Sequence, residues 1–130
     1  MLTSKPAPPP KVRLQASLSP GEEVLAPGPV GASGTAIIDV DTKGGELCYS
    51  LTYTGAGRPM TAHIHQGPRG VGGRPVLIDL EVTKNGDRAC VPAEAAVLEA
   101  IVAHPDDYFA NIHTQQYPTG AIRGQLGFTA

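Results

Sequence analysis

Glycine and proline limit this chain more than any other feature. Sixteen glycines and thirteen prolines in 130 residues leave only short stretches between breaks, and most of those stretches alternate apolar and polar residues. A period of two is the signature of a strand with one buried face. In Lys11–Leu18 the residues Val12, Leu14, Ala16 and Leu18 fall on one side. Thr35–Val40 is a second run and ends at a predicted turn over Asp41–Gly45. In Glu46–Thr54, Leu47, Tyr49, Leu51 and Tyr53 share a face opposite Cys48, Ser50 and Thr52. Pro20-Gly21 and Pro27–Gly34 are predicted loops.

A fourth run extends from Met60 to Gln66 and a fifth from Pro75 to Val82, with the glycine-rich stretch Gly67–Gly73 between them. Asn85-Gly86 or Gly86-Asp87 turns the chain into a short strand holding Cys90. The period then changes. Val97, Leu98, Ile101 and Val102 recur at helical spacing within Ala93–Ala103, with Pro92 suited to the first turn and His104-Pro105 as the stop. The C-terminal stretch predicts a hairpin, with Asp107–Thr114 and Gly120–Phe128 flanking the loop 115–119. The expectation is a mainly β fold: a Greek-key-like antiparallel β-sandwich or flattened barrel of about seven or eight strands, with one short helix near 93–103.

A chain of 130 residues with 41% hydrophobic composition fills one core. Residues 11–130 are expected to form that single domain. The proline-rich start 1–10 predicts a stiff tether, or the point where a longer sequence was trimmed together with its export signal. A formal net charge of -2, from ten basic and twelve acidic residues in no blocks, argues against nucleic-acid binding and attachment to an anionic membrane. No apolar run approaches the roughly 20 residues of a bilayer-spanning helix. Cys48 and Cys90 have no metal-motif spacing. They form either one disulfide, which would place the protein in an oxidising compartment, or two separate thiols.

Thr61-Ala-His-Ile-His-Gln-Gly holds two of the four histidines. On a strand, His63 and His65 project from one side and Ala62 and Ile64 from the other, with the two histidine Cα atoms roughly 6.6 Å apart. In the last hairpin, alternation groups His113 with Asn111 and Phe109. It also sets Arg123 and Gln125 against Ile122, Leu126 and Phe128, which are expected in the core. Pairing Thr114 with Gly120 would put Arg123 opposite Asn111 and make His113 and Arg123 diagonal neighbours on the outer face. Three imidazoles suit copper, with zinc as the alternative. The competing reading is of solvated surface histidines, with Arg123 paired to Asp79 or Glu81 on a neighbouring strand. His104 is expected at the surface, at the helix end. The stretch Gly67–Gly73 lacks phosphate-loop spacing and is followed by a strand, so it predicts a tight reversal that leaves the histidine face open.

Ala62-His-Ile-His-Gln-Gly67, Gly70-Val-Gly-Gly-Arg-Pro-Val76, Tyr108-Phe-Ala-Asn-Ile-His-Thr114 and Pro118-Thr-Gly-Ala-Ile-Arg-Gly-Gln-Leu126 together resemble the CHRD domain. That family is named from chordin and is found in many bacterial exported proteins. The resemblance covers about Lys11 to Phe128 and implies a secreted protein, extracellular or periplasmic. Ala121 departs from it, because the family commonly has glutamate there. More distantly, the order of the histidines is similar to that in copper–zinc superoxide dismutases. There His63, His65 and His113 would correspond to copper ligands and Arg123 to the residue guiding a small anion such as superoxide. His104 is the only histidine between His65 and His113, so this resemblance implies no zinc site of that type. Two function classes follow: a copper site with superoxide-dismutase-like redox activity, or a noncatalytic extracellular module that binds a protein or a polymer. There is no GxSxG or HExxH motif to point to a hydrolase.

Overall fold

The alternating runs pair into two antiparallel sheets in a computed structural model that describes residues 11–23, 28–72, 75–82 and 84–129. The predicted tether 1–10 lies outside the described residues, as do Pro27 and Gly73 at the ends of predicted loops. The strands are β1 (Val12–Leu18), β2 (Ser33–Asp41), β3 (Glu46–Thr54), β4 (Pro59–Gln66), β5 (Val76–Leu80), β6 (Arg88–Pro92), β7 (Tyr108–Thr114), β8 (Ile122–Gln125) and β9 (Gly127–Phe128). One helix, α1 (Ala95–Ala103), lies between β6 and β7. A five-stranded sheet runs β6-β3-β2-β1-β9 and a four-stranded sheet runs β5-β4-β7-β8. Among the described residues one isolated bridge, Ser19 to Arg123, ties the edge of β8 to the end of β1, and the sheets do not close into a barrel, so the fold is the sandwich and not the flattened barrel.

The β2–β3 hairpin turns where the sequence predicts. Gly44 N–H donates to Asp41 Oδ1 at 2.8 Å, and Gly45 takes φ +64, a left-handed value that glycine adopts without a Cβ penalty. The inward sets meet between the sheets. Leu14, Ile38, Leu47 and Tyr49 from one sheet pack with Ala62, Ile64, Ile112 and Ile122 from the other, all essentially fully buried. Each large aliphatic side chain removed from water there contributes roughly 1.5–3 kcal/mol. The helix adds Leu98 and Ile101 to the same core. The Tyr49 hydroxyl donates to the Glu81 carbonyl at 2.7 Å, so this buried aromatic keeps its polar end satisfied.

Three expectations need correction. The last predicted strand splits in two. β8 ends at Gln125, Leu126 turns into the core, and Gly127–Phe128 crosses to pair with β1 in the other sheet. Phe128 is therefore 59% exposed at a sheet edge instead of buried. Gly124 helps make the crossing possible, because a Cβ there would run into the Ser17 carbonyl of β1. Pro92 ends β6 instead of opening the helix, which starts after Glu94.

Cys48 and Cys90 sit directly opposite each other on β3 and β6 and form a disulfide with a sequence separation of 42. A loop of that size stabilises by roughly 3–4 kcal/mol in the chain-entropy model. The bond also removes the Glu46, Cys48 and Cys90 group as a metal site, since the thiolate is the binding form. On the outer side of this sheet, Asp39 is held between Arg13 at 2.7 Å and Arg88 at 2.7 Å.

Candidate metal centre

The four-stranded sheet turns Ala62, Ile64, Ala110, Ile112 and Ile122 inward. Its opposite face therefore carries Thr61, His63 and His65 on β4, Phe109, Asn111 and His113 on β7, and Arg123 and Gln125 on β8. The register sets His63 opposite Asn111, and Asn111 opposite Arg123. Arg123 and His113 are thus the diagonal neighbours that counting back from the hairpin loop predicts. Thr61 opposes His113 and His65 opposes Phe109, which brings the three histidines together on two adjacent strands. One ligand atom from each of His63, His65 and His113 can be chosen so that all lie within 4.8 Å of one another. His104 caps the helix C-terminus and is exposed, away from this group.

The outer nitrogens of two rings have partners that decide where the protons sit. His113 Nδ1 lies 2.9 Å from the Pro118 carbonyl, which only accepts, so Nδ1 carries the hydrogen of the neutral ring. His63 Nε2 faces Asp79 Oδ1 at 3.2 Å, and a carboxylate likewise accepts. The inner atoms, His63 Nδ1 and His113 Nε2, are then both bare lone pairs, 3.1 Å apart. Burial pushes the pKa of both rings below the ordinary histidine value, and their mutual proximity adds to this for His113. Both are therefore neutral bases near pH 7. Two lone pairs pointed at each other repel unless a cation stands between them. Ligands on one ion at about 2.0–2.1 Å are roughly 2.9–3.4 Å apart when adjacent, and the observed 3.1 Å falls in that range.

His65 is held differently. Its ring stacks on Phe109 at 4.9 Å between centroids, with 13° between planes, and is 8% exposed. The Arg123 guanidinium carbon lies 3.4 Å from the centre of the Phe109 ring, a cation–π contact of about 2 kcal/mol when desolvated. Arg123 was expected on an open face, within reach of an incoming anion. It is instead 2% exposed. Its Nη1 donates to the Val71 carbonyl at 2.7 Å, and Nη2 donates to the Pro68 carbonyl at 3.0 Å and to Gln125 Oε1 at 3.1 Å. Nor does it pair with Asp79 or Glu81, since β8 and β5 are the opposite edges of the sheet.

The glycine-rich stretch does reverse the chain, through a turn closed by Val71 N–H to Pro68 O at 3.1 Å. It does not leave the whole face open, however. Gly67 N–H donates to the Asp107 carbonyl at 2.7 Å, and Gln125 Nε2 donates to the Gly67 carbonyl at 3.0 Å. The stretch is thereby fastened over Arg123. It presents carbonyl oxygens to a guanidinium, the opposite polarity to a phosphate cradle. The face is closed at Arg123 and Phe109 and half-open at His63 and His113.

Two contributors are not singled out by the sequence, and a third, Asp79, is named there only as a partner for Arg123. Asp79 is on the histidine face because β5 pairs it with His63, and alternation would place it there once that pairing is known. The Pro118 carbonyl is a backbone group with no sequence signal. Glu23 reaches Arg123 from the segment after β1. Its carboxyl is pushed up to about 7 by burial, and the Arg123 charge opposes that shift.

No helix among the described residues is long and apolar enough to cross a membrane. No curated protein and no solved structure matches the chain, so the distant likeness to copper–zinc superoxide dismutases gains no structural support. The CHRD domain model matches residues 14–126. That span takes in every strand but β9 and the first two residues of β1, with every residue of the histidine cluster, and the chain belongs to the CHRD domain family.

Proposed function

We propose that this CHRD domain is a secreted metal-binding protein that holds one copper ion through His63 Nδ1, His65 and His113 Nε2. The observation that carries the reading is the meeting of two bare imidazole nitrogens at 3.1 Å, with the outer nitrogen of each ring facing an acceptor. Backing by a carboxylate or carbonyl is the usual way a ligating histidine is oriented. Borderline nitrogen donors favour copper over zinc by intrinsic affinity. Bound copper would supply one-electron chemistry toward a small oxidant or reductant such as superoxide. The chain's own residues orient the rings, with Asp79 acting on His63, Pro118 on His113 and Phe109 on His65. Arg123 is withdrawn from solvent, so its part is to brace Phe109 and the covering loop.

The test is metal analysis with absorption and paramagnetic resonance spectra on protein purified without chelator or metal-affinity resin. Copper titration of the metal-free protein and of His63→Ala, His65→Ala and His113→Ala follows. One equivalent bound by the parent and lost in each variant is the expected result. Unchanged stoichiometry and affinity in the variants would remove the site.

The second reading, a noncatalytic extracellular module for a protein or polymer, is favoured by an open groove beside the free edge of β5. Leu77, Val82, Val91 and Val97 line it together with Asp79, Glu81 and Glu94. Capture of a partner by metal-free protein, with no turnover after copper loading, would select it.

A further inference from the structure

Asn111 stands in the middle of the histidine face, directly opposite His63 on β4 and Arg123 on β8. An asparagine in a strand interior is an unusual choice, since strand propensity favours β-branched and aromatic residues. This one is also 5% exposed, so water does not account for its side chain. Its Oδ1 lies 3.1 Å from His113 Nε2, the same nitrogen that meets His63 Nδ1 at 3.1 Å. The Pro118 carbonyl keeps the His113 proton on Nδ1. Nε2 therefore has no hydrogen to give to the amide oxygen. Two acceptors, the Asn111 oxygen and the His63 nitrogen, each stand 3.1 Å from this bare nitrogen.

We propose that Asn111 Oδ1 is a fourth donor to the metal, which makes the site three imidazoles and one amide oxygen. This rests on the three-histidine reading and sets its selectivity. All four donors are neutral, so the ion keeps its full charge. A hard carbonyl oxygen prefers the divalent ion, whereas soft Cu(I) is satisfied by two or three nitrogens or sulfurs. Asn111 therefore biases the centre toward Cu(II) over Cu(I) and gives the divalent state an anchor that the histidines alone do not supply. The 3.1 Å separation from His113 Nε2 lies within the roughly 2.9–3.4 Å range for neighbouring donors on one ion.

The experiment compares the parent protein with Asn111→Leu, which keeps the branched shape and loses the oxygen, and with Asn111→Asp, which keeps the oxygen and adds charge. Cu(II) and Cu(I) are each titrated into metal-free protein, and the Cu(II) forms are examined by paramagnetic resonance. Asn111→Leu is expected to bind Cu(II) at least tenfold more weakly, with little change for Cu(I) and an altered spectrum. Asn111→Asp is expected to bind Cu(II) more tightly than the parent. A Leu variant with parental Cu(II) affinity and spectrum would overturn the inference, with the amide then serving His113 as a hydrogen-bond donor through Nδ2. If the Leu variant does not fold, an Asp variant with parental affinity and spectrum overturns it equally. Failure of the parent itself to bind copper would remove the three-histidine reading and this inference together. Copper uptake by the parent with no response at Asn111 removes only this inference.

Discussion

Replacing Glu23 with glutamine should stabilise the protein, and only at a pH where the carboxyl would be charged. Glu23 follows the short 3-10 turn Pro20–Glu22 and closes it with its own N–H on the Pro20 carbonyl. Its carboxylate is pressed against Gly120, which has φ +133, and a Cβ on that glycine would collide with the carboxylate oxygens. Glu23 Oε1 is buried with no hydrogen-bond partner among the described residues. The guanidinium of Arg123 supplies a compensating charge, but its Nη1 and Nη2 groups are directed at Val71, Pro68 and Gln125. Burial therefore dominates and raises the carboxyl from the ordinary 4.5 to about 7.

The folded state then holds this proton more tightly than the unfolded chain does. The contribution of Glu23 to stability is full below about 4.5 and is lost as pH rises through about 7. At roughly 1.4 kcal/mol per pH unit the loss would be about 3 kcal/mol, which partial exposure of the side chain reduces to about 2. Glutamine carries no charge at either extreme. Urea unfolding of the parent and of Glu23→Gln at about pH 4 and about pH 8 should show the variant gaining about 2 kcal/mol at the higher pH relative to the lower. That corresponds to some 5–8 °C in midpoint for a domain of this size. An equal effect at both pH values would refute the reasoning, as would a variant less stable than the parent at pH 8.

Arg123→Lys should cost about 3 kcal/mol or more, because an ammonium cannot reach the carbonyls of Val71 and Pro68 and Gln125 while also stacking on Phe109. Limited proteolysis should find the 67–72 loop newly cleavable, and an uncut loop would count against the clamp. Reducing the Cys48–Cys90 disulfide, or replacing both residues with alanine, should lower stability by roughly 2–4 kcal/mol in urea unfolding; the double alanine variant, which leaves no thiol to bind metal, should keep the parental copper binding. Asp79→Asn leaves His63 Nε2 without its carboxylate and should weaken copper binding about tenfold by titration; an unchanged affinity would show that Asp79 does not orient the ring.

Local alternation was enough to read most of the strands and the side of the sheet each residue takes. Val12, Leu14, Ala16 and Leu18 predict β1 because a strand with one wet face has no other stable pattern, and His63 and His65 share a face for the same geometric reason. The register of the last hairpin follows from the length of its loop, which puts Asn111 opposite Arg123. The short helix is visible as a change of period, although its first turn begins later than Pro92 suggests. What alternation cannot report is which strand lies next to which, because pairing depends on the packing of distant segments. Only the tertiary structure places β5 beside β4, which brings Asp79 to His63, and β8 at the far edge, which keeps Arg123 from Asp79. Only tertiary structure folds the glycine loop back over the sheet, burying an arginine whose position in the pattern marks it as exposed. Strand crossing, which sends Gly127–Phe128 to the other sheet, depends on a close approach of Gly124 to Ser17 that no periodicity records. Alternation alone puts His63 and His65 on one face of their strand and His113 on the outward face of its own. The pairing of β4 with β7, and the carbonyl and carboxylate behind the rings, decided that two of their lone pairs meet at a point.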